Sequence, residues 1–307
     1  MAAWTASMSE RLASVWGEMK KKKVSYLFMA PFLILYVWFT IIPIFQGMYL
    51  SFTYFNVLEP PRWIGLANFR SLFLEDEIFR IAIGNTLKFA FITGPVGYFA
   101  SFFFAWLLHK MRFRLVYALA FYTPSVVGPG LGFMWKYIFS GDQYGLANNV
   151  LMRLGIIHEP ILWTQDVDLI MPVVIFVACW MSLGTGFLAH LAGLQNVPHE
   201  LYEAAAIDGV RNALEEVWYI TLPMMRPQLL FAAVLSVVSS FSVFGVAADM
   251  VGFPSPLYAA HTVVAHLRDY AFIRFEMGYA AAISVVLLLT TFGLSRLFMR
   301  ILSSKDM

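Results

Sequence analysis

The sequence predicts an all-α, polytopic integral membrane protein with six transmembrane helices and both termini cytoplasmic. Three observations carry that reading. Hydrophobic residues make up 60% of the 307 positions and charged residues 13%, where an ordinary soluble domain is about a quarter charged. Mean hydropathy is +0.70. The apolar residues also run on without the alternation over about ten residues that a barrel strand requires, and only helices or closed barrels satisfy their backbone in lipid.

A hydrocarbon core of about 30 Å takes roughly 20 helical residues to cross. Suitable runs lie at about 24–50, 81–108, 115–139, 169–191, 228–248 and 277–298. The first is longer than a signal-peptide core of about 7–15 residues and no A-x-A-like site follows it, so it is expected to be retained. A short N-terminal segment, 1–23, then precedes a transmembrane domain over 24–307.

Lysine and arginine near the span ends set the orientation. Lys20, Lys21, Lys22, Lys23, Lys110, Arg112, Arg114, Arg211, Arg226, Arg300 and Lys305 share one side. Arg62, Arg70, Arg80, Arg153, Arg268 and Arg274 lie on the other, spread over more residues. Both termini and the loop at 192–227 are therefore expected in the cytoplasm. A net charge of +2 makes no case for nucleic acid. The lone Cys179 falls inside the fourth run, excludes an intrachain disulfide and reads as a small apolar packing residue.

On the opposite side, the stretches "LANFRSLFLEDEIFR" and "YGLANNVLMRLGIIHEPILW" carry apolar residues at helical spacing and are expected along the membrane surface. Catalytic residues are predicted to be none. The sequence holds no G-x-x-x-x-G-K-[ST], H-E-x-x-H, C-x-x-C or G-x-S-x-G. "GPGLG" at 128–132, with Pro124 and Pro129, interrupts an apolar run and reads as a broken helix rather than a nucleotide loop. His261 and His266, with Asp249 and Asp269 nearby in sequence, would lie on different faces of a helix, and a hydrogen-bonded surface role is expected for them rather than metal ligation.

The stretch "ELYEAAAIDGVRNALEEVWYITLP" at 200–223 is charged yet lies between two greasy runs. Pro198 suits a first helical turn, Glu200 and Glu203 suit the positive helix N-terminus, and Asp208-Gly209 ends the run, which predicts a helix over 198–207. Leu214, Val217 and Trp218 predict a second helix over about 212–220, stopped by Pro223. Ala204, Ala205 and Ala206 remove bulk beside the Glu203 carboxylate, so another protein can come close to the backbone. A lipid-surface helix is usually basic, whereas Glu200, Glu203, Asp208, Glu215 and Glu216 here face only Arg211, which favours protein docking.

Glu203-Ala204-Ala205, Asp208-Gly209 and Ile220-Thr221-Leu222-Pro223 together resemble the EAA motif of ATP-binding-cassette importer permeases. Val210 stands where alanine is usual, and the spacing from Glu203 to Pro223 is one residue longer than the usual form. "WIGLANFR", "YEAAAIDG" and "GYAAAISVVLLL" are similar to the carbohydrate branch with its maltose-type first permease, so the resemblance covers nearly the whole chain. It implies a non-catalytic permease of a bacterial cytoplasmic (inner) membrane importer, forming half of the path for a sugar or oligosaccharide. The partners implied are a second related permease, a cytoplasmic ATPase dimer docked on the EAA loops and an external solute-binding protein. No cofactor is expected on this chain, with Mg-ATP held by the ATPase subunits. Within the loop, the resemblance and the spacing assign Glu203 as charge partner, Ala204 and Ala205 as contact surface, Asp208 as cap or local hydrogen-bond acceptor, Gly209 as turn and Pro223 as the end of the motif.

A sugar needs hydroxyl partners and an aromatic face, and Trp180, Ser182, Thr185, Ser236, Ser239 and Ser240 on the flanking spans are candidate path residues. Small residues of this kind equally serve close helix packing. Lys88 and Lys136 read as snorkelling to water; facing the path instead, they would favour an anionic substrate. Two other classes compete. A secondary transporter calls for repeat symmetry and buried coupling carboxylates, of which Asp249 is the nearest case. A lipid-linked sugar transferase calls for clustered acids at one face, where Glu75, Asp76 and Glu77 form the acidic triplet.

Overall fold

A computed structural model of the chain describes residues 22–303, the side chains of Leu115, Pro129, Thr185 and residues 301–303 excepted. The expected N-terminal segment up to residue 21, with Lys20 and Lys21, and Lys305 lie outside the described residues.

Helix α1 runs over Lys23–Leu50 and widens into a π turn at Val37–Ile41, just before Pro43. Proline lacks an N–H and its ring crowds the carbonyl four residues back, and a wider turn relieves that crowding. None of the residues of α1 is buried, and its last turns pack on the final helix. A two-residue ladder, β1 (Thr53–Tyr54) with β2 (Arg62–Trp63), pairs Thr53 with Trp63. Helix α2 (Ala67–Leu74) follows and is fastened by Asn68, whose Nδ2 donates to Ser51 O at 3.0 Å and Thr53 O at 2.9 Å. The sequence reads 66–80 as one short helix; the chain instead breaks at Asp76, because that carboxylate accepts the Phe79 N–H at 2.8 Å and caps a new helix.

That helix, α3 (Glu77–His109), is the central post of the bundle. The third apolar run folds as α4 (Arg114–Val127) and α5 (Leu131–Ile138), split by a 3-10 turn at Gly128–Gly130 where Gly128 takes φ 72°. Helix α6 (Leu146–Arg153) lies in the loop that follows. The fourth run forms α7 (Val167–Met181) and α8 (Leu183–Gln195), bent at Ser182. The fifth forms α11 (Arg226–Phe241) and α12 (Gly245–Val251), after the loop helices α9 (His199–Ile207) and α10 (Ala213–Glu216). Helix α13 (Val263–Arg268) precedes the closing helix α14 (Met277–Ser303).

Five helices among the described residues are long and apolar enough to cross a membrane, against six runs in the sequence. The missing one is the third, because Gly128–Gly130 divides it into pieces of 14 and 8 residues.

Packing concentrates around α3. At its C-terminal end Ala105 and Leu108 join Phe187, Leu191, Leu194 and Met225 in one apolar cluster, and at its N-terminal end Phe79 and Ala82 join Leu72, Val263 and Ile283 in another. Helices whose exterior faces lipid gain little from transfer alone, so small residues that admit close contact hold them together. Gly97 illustrates this: a Cβ there would stand 2.6 Å from Ser182 Oγ.

Candidate coupling loop and central cavity

Helix α9 begins after Pro198, which is extended (ψ 133°) and serves as the N-cap rather than as part of the first turn. It ends in a Schellman arrangement. The Val210 N–H donates to Ala205 O at 2.9 Å, the Gly209 N–H donates to Ala206 O, and Gly209 takes φ 99°, a conformation that L side chains rarely adopt. Asp208 is the C-cap residue, so its backbone enters the turn while its carboxylate stays exposed. Glu203 and Ala204 are exposed and Ala205 is half-buried; Glu203 Oε1 lies 3.1 Å from His199 Nδ1 one turn earlier.

Asn212 opens α10 with a reciprocal cap: its Oδ1 accepts the Glu215 N–H at 2.9 Å, while Glu215 accepts from Asn212 Nδ2 at 2.7 Å and from the Arg211 N–H at 2.9 Å. Pro223 does not stop this helix as the sequence suggests. A π turn at Val217–Thr221 carries the chain through the proline to Met224, and the bend falls at Met225. A π turn holds one residue more than an α turn, which takes up the extra position between Glu203 and Pro223. Across the pair of helices, Tyr202 OH and Thr221 Oγ1 are hydrogen-bonded at 2.9 Å, with Thr221 buried. Ile207, Leu214 and Trp218 project outward from the loop, each at least two-thirds exposed.

Deeper in the bundle, α3, α7, α8 and α11 line a half-open cavity of about 180 Å³. Ser182, Ser236, Ser239 and Ser240 line it. Trp180 does not; it stacks edge-on against Trp135 with centroids 5.2 Å apart. The side chain of Thr185 lies outside the described residues. The sequence reading missed the contribution of α3: Thr93, Gly97 and Ser101, spaced four apart and so on one face, together with Tyr98. That spacing of small polar residues in a greasy run was the available signal.

The lining hydroxyls are committed as donors. Ser236 donates to Gly94 O on α3 at 2.9 Å, Ser240 to Ser236 O at 2.8 Å, Ser182 to Cys179 O at 2.9 Å and Thr93 to Phe89 O at 2.8 Å. Each keeps lone pairs free, so these side chains present acceptors to anything in the cavity. None of the lining residues is charged. Lys88 and Lys136 are exposed and away from the lining, and Asp249 packs on Gly132 beside the break between α4 and α5. Beneath the cavity, His190 is fully buried, edge-on to Tyr98 and Phe102 at centroid distances of 5.1 and 5.5 Å.

The histidines near the opposite end are not at the surface. His266 Nε2 is 2.9 Å from Asp76 Oδ2 and His261 Nε2 is 3.3 Å from His266 Nδ1, with both imidazoles buried. They meet because His261 precedes α13 instead of belonging to it, so helical spacing does not separate them.

The family model for "Binding-protein-dependent transport system inner membrane component" matches residues 81–305. The chain belongs to that family. It is 33% identical over 273 residues to the probable ABC transporter permease protein YesP of Bacillus subtilis (strain 168), covering 88% of this chain and 87% of that protein. It is 32% identical over 287 residues to the arabinooligosaccharides transport system permease protein AraP of the same strain, covering 92% and 90%. In fold it is similar to a chain of a bacterial ABC transporter involved in the import of the acidic polysaccharide alginate, with TM-score 0.79, 19% identity and coverage of 96% and 100%. The chain is thus an inner-membrane permease component and not an enzyme, ATP hydrolysis being the task of a separate subunit. Family membership sets aside both the secondary-transporter and the sugar-transferase alternatives.

Proposed function

We propose that this chain forms half of the translocation path of an ATP-driven importer for a neutral sugar or oligosaccharide. A second, related permease supplies the other half, two ATPase subunits carrying Mg-ATP dock on the cytoplasmic loops, and an external solute-binding protein delivers the substrate. The observation that carries the reading is the continuity between docking knob and cavity. Helix α9 follows α8 after a short turn, and α10 leads through the π turn at Val217–Thr221 into α11; Ser182, at the head of α8, and Ser236, Ser239 and Ser240 on α11 line the cavity.

Supporting the docking role are the exposed Glu203 and Ala204, the fixed turn at Gly209 and the outward Ile207 and Trp218. Supporting a neutral substrate is an uncharged lining whose hydroxyls offer acceptors to the donors of a sugar. The arabinooligosaccharide permease among the relatives is consistent with a short oligosaccharide. A cavity of about 180 Å³ is smaller than the roughly 300–1,000 Å³ typical of ligand pockets, as half of a shared path should be. The bends at Ser182 and between α11 and α12 border the cavity, where irregular backbone is tolerated because it lines a cavity rather than meeting lipid.

ATP binding then acts by preferring one of two arrangements of these spans, and substrate by its differential affinity for them. The test is reconstitution of the chain with its second permease and ATPase in liposomes, with binding protein and labelled arabino-, gluco- and galacto-oligosaccharides outside. Uptake that needs ATP and binding protein supports the reading; uptake driven by an ion gradient without ATPase refutes it.

A further inference from the structure

Helices α8 and α11 follow the coupling loop because they are covalently joined to it. Helix α3 is not, yet it contributes Thr93, Gly97 and Ser101 to the cavity. One residue at its end bridges that gap. Lys110, the C-cap of α3, places Nζ 2.9 Å from Glu216 Oε2 on α10, and the same ammonium lies 6.0 Å from the ring centroid of Tyr202 on α9. Tyr202 is in turn bonded to Thr221, so the lysine touches both helices of the loop at the point where they are tied together.

We infer that Lys110 is a positioning residue for transport: a strut that makes α3 move with the coupling loop, resting on the docking role proposed above. Ser101 precedes Lys110 by nine residues of helix, a rise of about 13.5 Å. The intervening turn is stiffened by Ala105 and Leu108 in the apolar cluster with Phe187 and Leu191. Displacing α10 therefore pulls on a rod whose far part is the cavity wall. The alternative is an incidental surface ion pair, since the two side chains are 60% and 31% exposed and exposed pairs are energetically weak. The two readings differ in what charge reversal does to coupling rather than to stability.

The experiment uses the full assembly in lipid nanodiscs with Lys110→Glu, Glu216→Lys and the double reversal. It reads ATPase co-purification and the ratio of substrate-stimulated to basal ATP hydrolysis. Each single variant is expected to retain the ATPase and lower that ratio about fivefold, the consequence of turning an exposed attraction into a repulsion. The double reversal is expected to return it to within about twofold of the wild type. Lys110→Met, which removes the charge and keeps the stem, should fall between and guards against a misfolded reversal. Unchanged single variants, or a double no better than the worse single, overturn the strut. A wild-type assembly that binds no ATPase overturns the docking reading instead, and is seen before any variant is compared.

Discussion

His266 Nε2 lies 2.9 Å from Asp76 Oδ2 although 190 positions separate them, and this contact pins the segment before α14 to the cap of α3. Asp76 also accepts from Tyr279 OH at 2.8 Å and from the Phe79 N–H at 2.8 Å. Burial pushes the Asp76 carboxyl up, but the Phe79 and Tyr279 hydrogen bonds and the nearby His266 outweigh it and hold it below the ordinary carboxylate value. Burial pushes His266 down more than Asp76 pulls it up, and pushes His261 down to about 4.

All three shifts have one sign. Between the ordinary histidine value of about 6.5 and the folded values, the unfolded segment binds protons that the folded one refuses, so acid destabilises it. Asp76 adds to this lower down, its contribution being lost as pH falls through its depressed value. Hydrogen exchange over residues 261–276, corrected for the intrinsic pH dependence, should show protection that is full at about pH 7.5 and declines from about 6.5 towards 4. A flat profile would contradict this.

Gly209 adopts φ 99°, so most side chains there should cost roughly 1–2 kcal/mol and re-aim α9 against α10. Gly209→Asn should be milder than Gly209→Val, because asparagine tolerates positive φ. The ranking is read as ATPase retained on co-purification: wild type, then asparagine, then valine. Equal retention in all three would show that the turn does not orient the docking surface.

A Cβ on Gly94 would come 3.3 Å from Oγ of Ser240, which lines the cavity, so α3 and α11 are already in close contact. Ser240→Leu should wedge them apart, costing on the order of 1–3 kcal/mol, and fill the path. Ser240→Ala should cost about 1 kcal/mol or less, since only a bond to its own helix is lost. Uptake and thermal unfolding of the two variants, measured together, separate packing from path. A leucine variant that transports normally would remove Ser240 from the path.

Much of this was legible in the residues. The long apolar runs gave the helical membrane class, and Asp208-Gly209 marked the turn that the Schellman bonds close. What was not legible needed three-dimensional partners. In the sequence Asp76 is only the middle of the acidic triplet 75–77, and only the return of the chain at 261–279 turns it into a buried acceptor. Ser182, Ser236, Ser239 and Ser240 converge while Trp180 turns away to Trp135, because a helix has one inward face and the sequence does not say which. Pro223 signalled a stop, but a π turn absorbed it, as another does before Pro43.

In the proposed function, the loop from α9 to α10 receives the ATPase and drives the cavity helices. The decisive measurement is co-purification of the chain with its second permease and ATPase, wild type against Glu203→Lys, with substrate-stimulated ATP hydrolysis as the readout. Stimulated hydrolysis is expected in the wild type, and either release of the ATPase or loss of the stimulation in the variant. A variant that holds its ATPase and is stimulated as the wild type would rule out Glu203 as the charge partner, and a wild-type permease pair that captures no ATPase would rule out the docking role of the loop altogether.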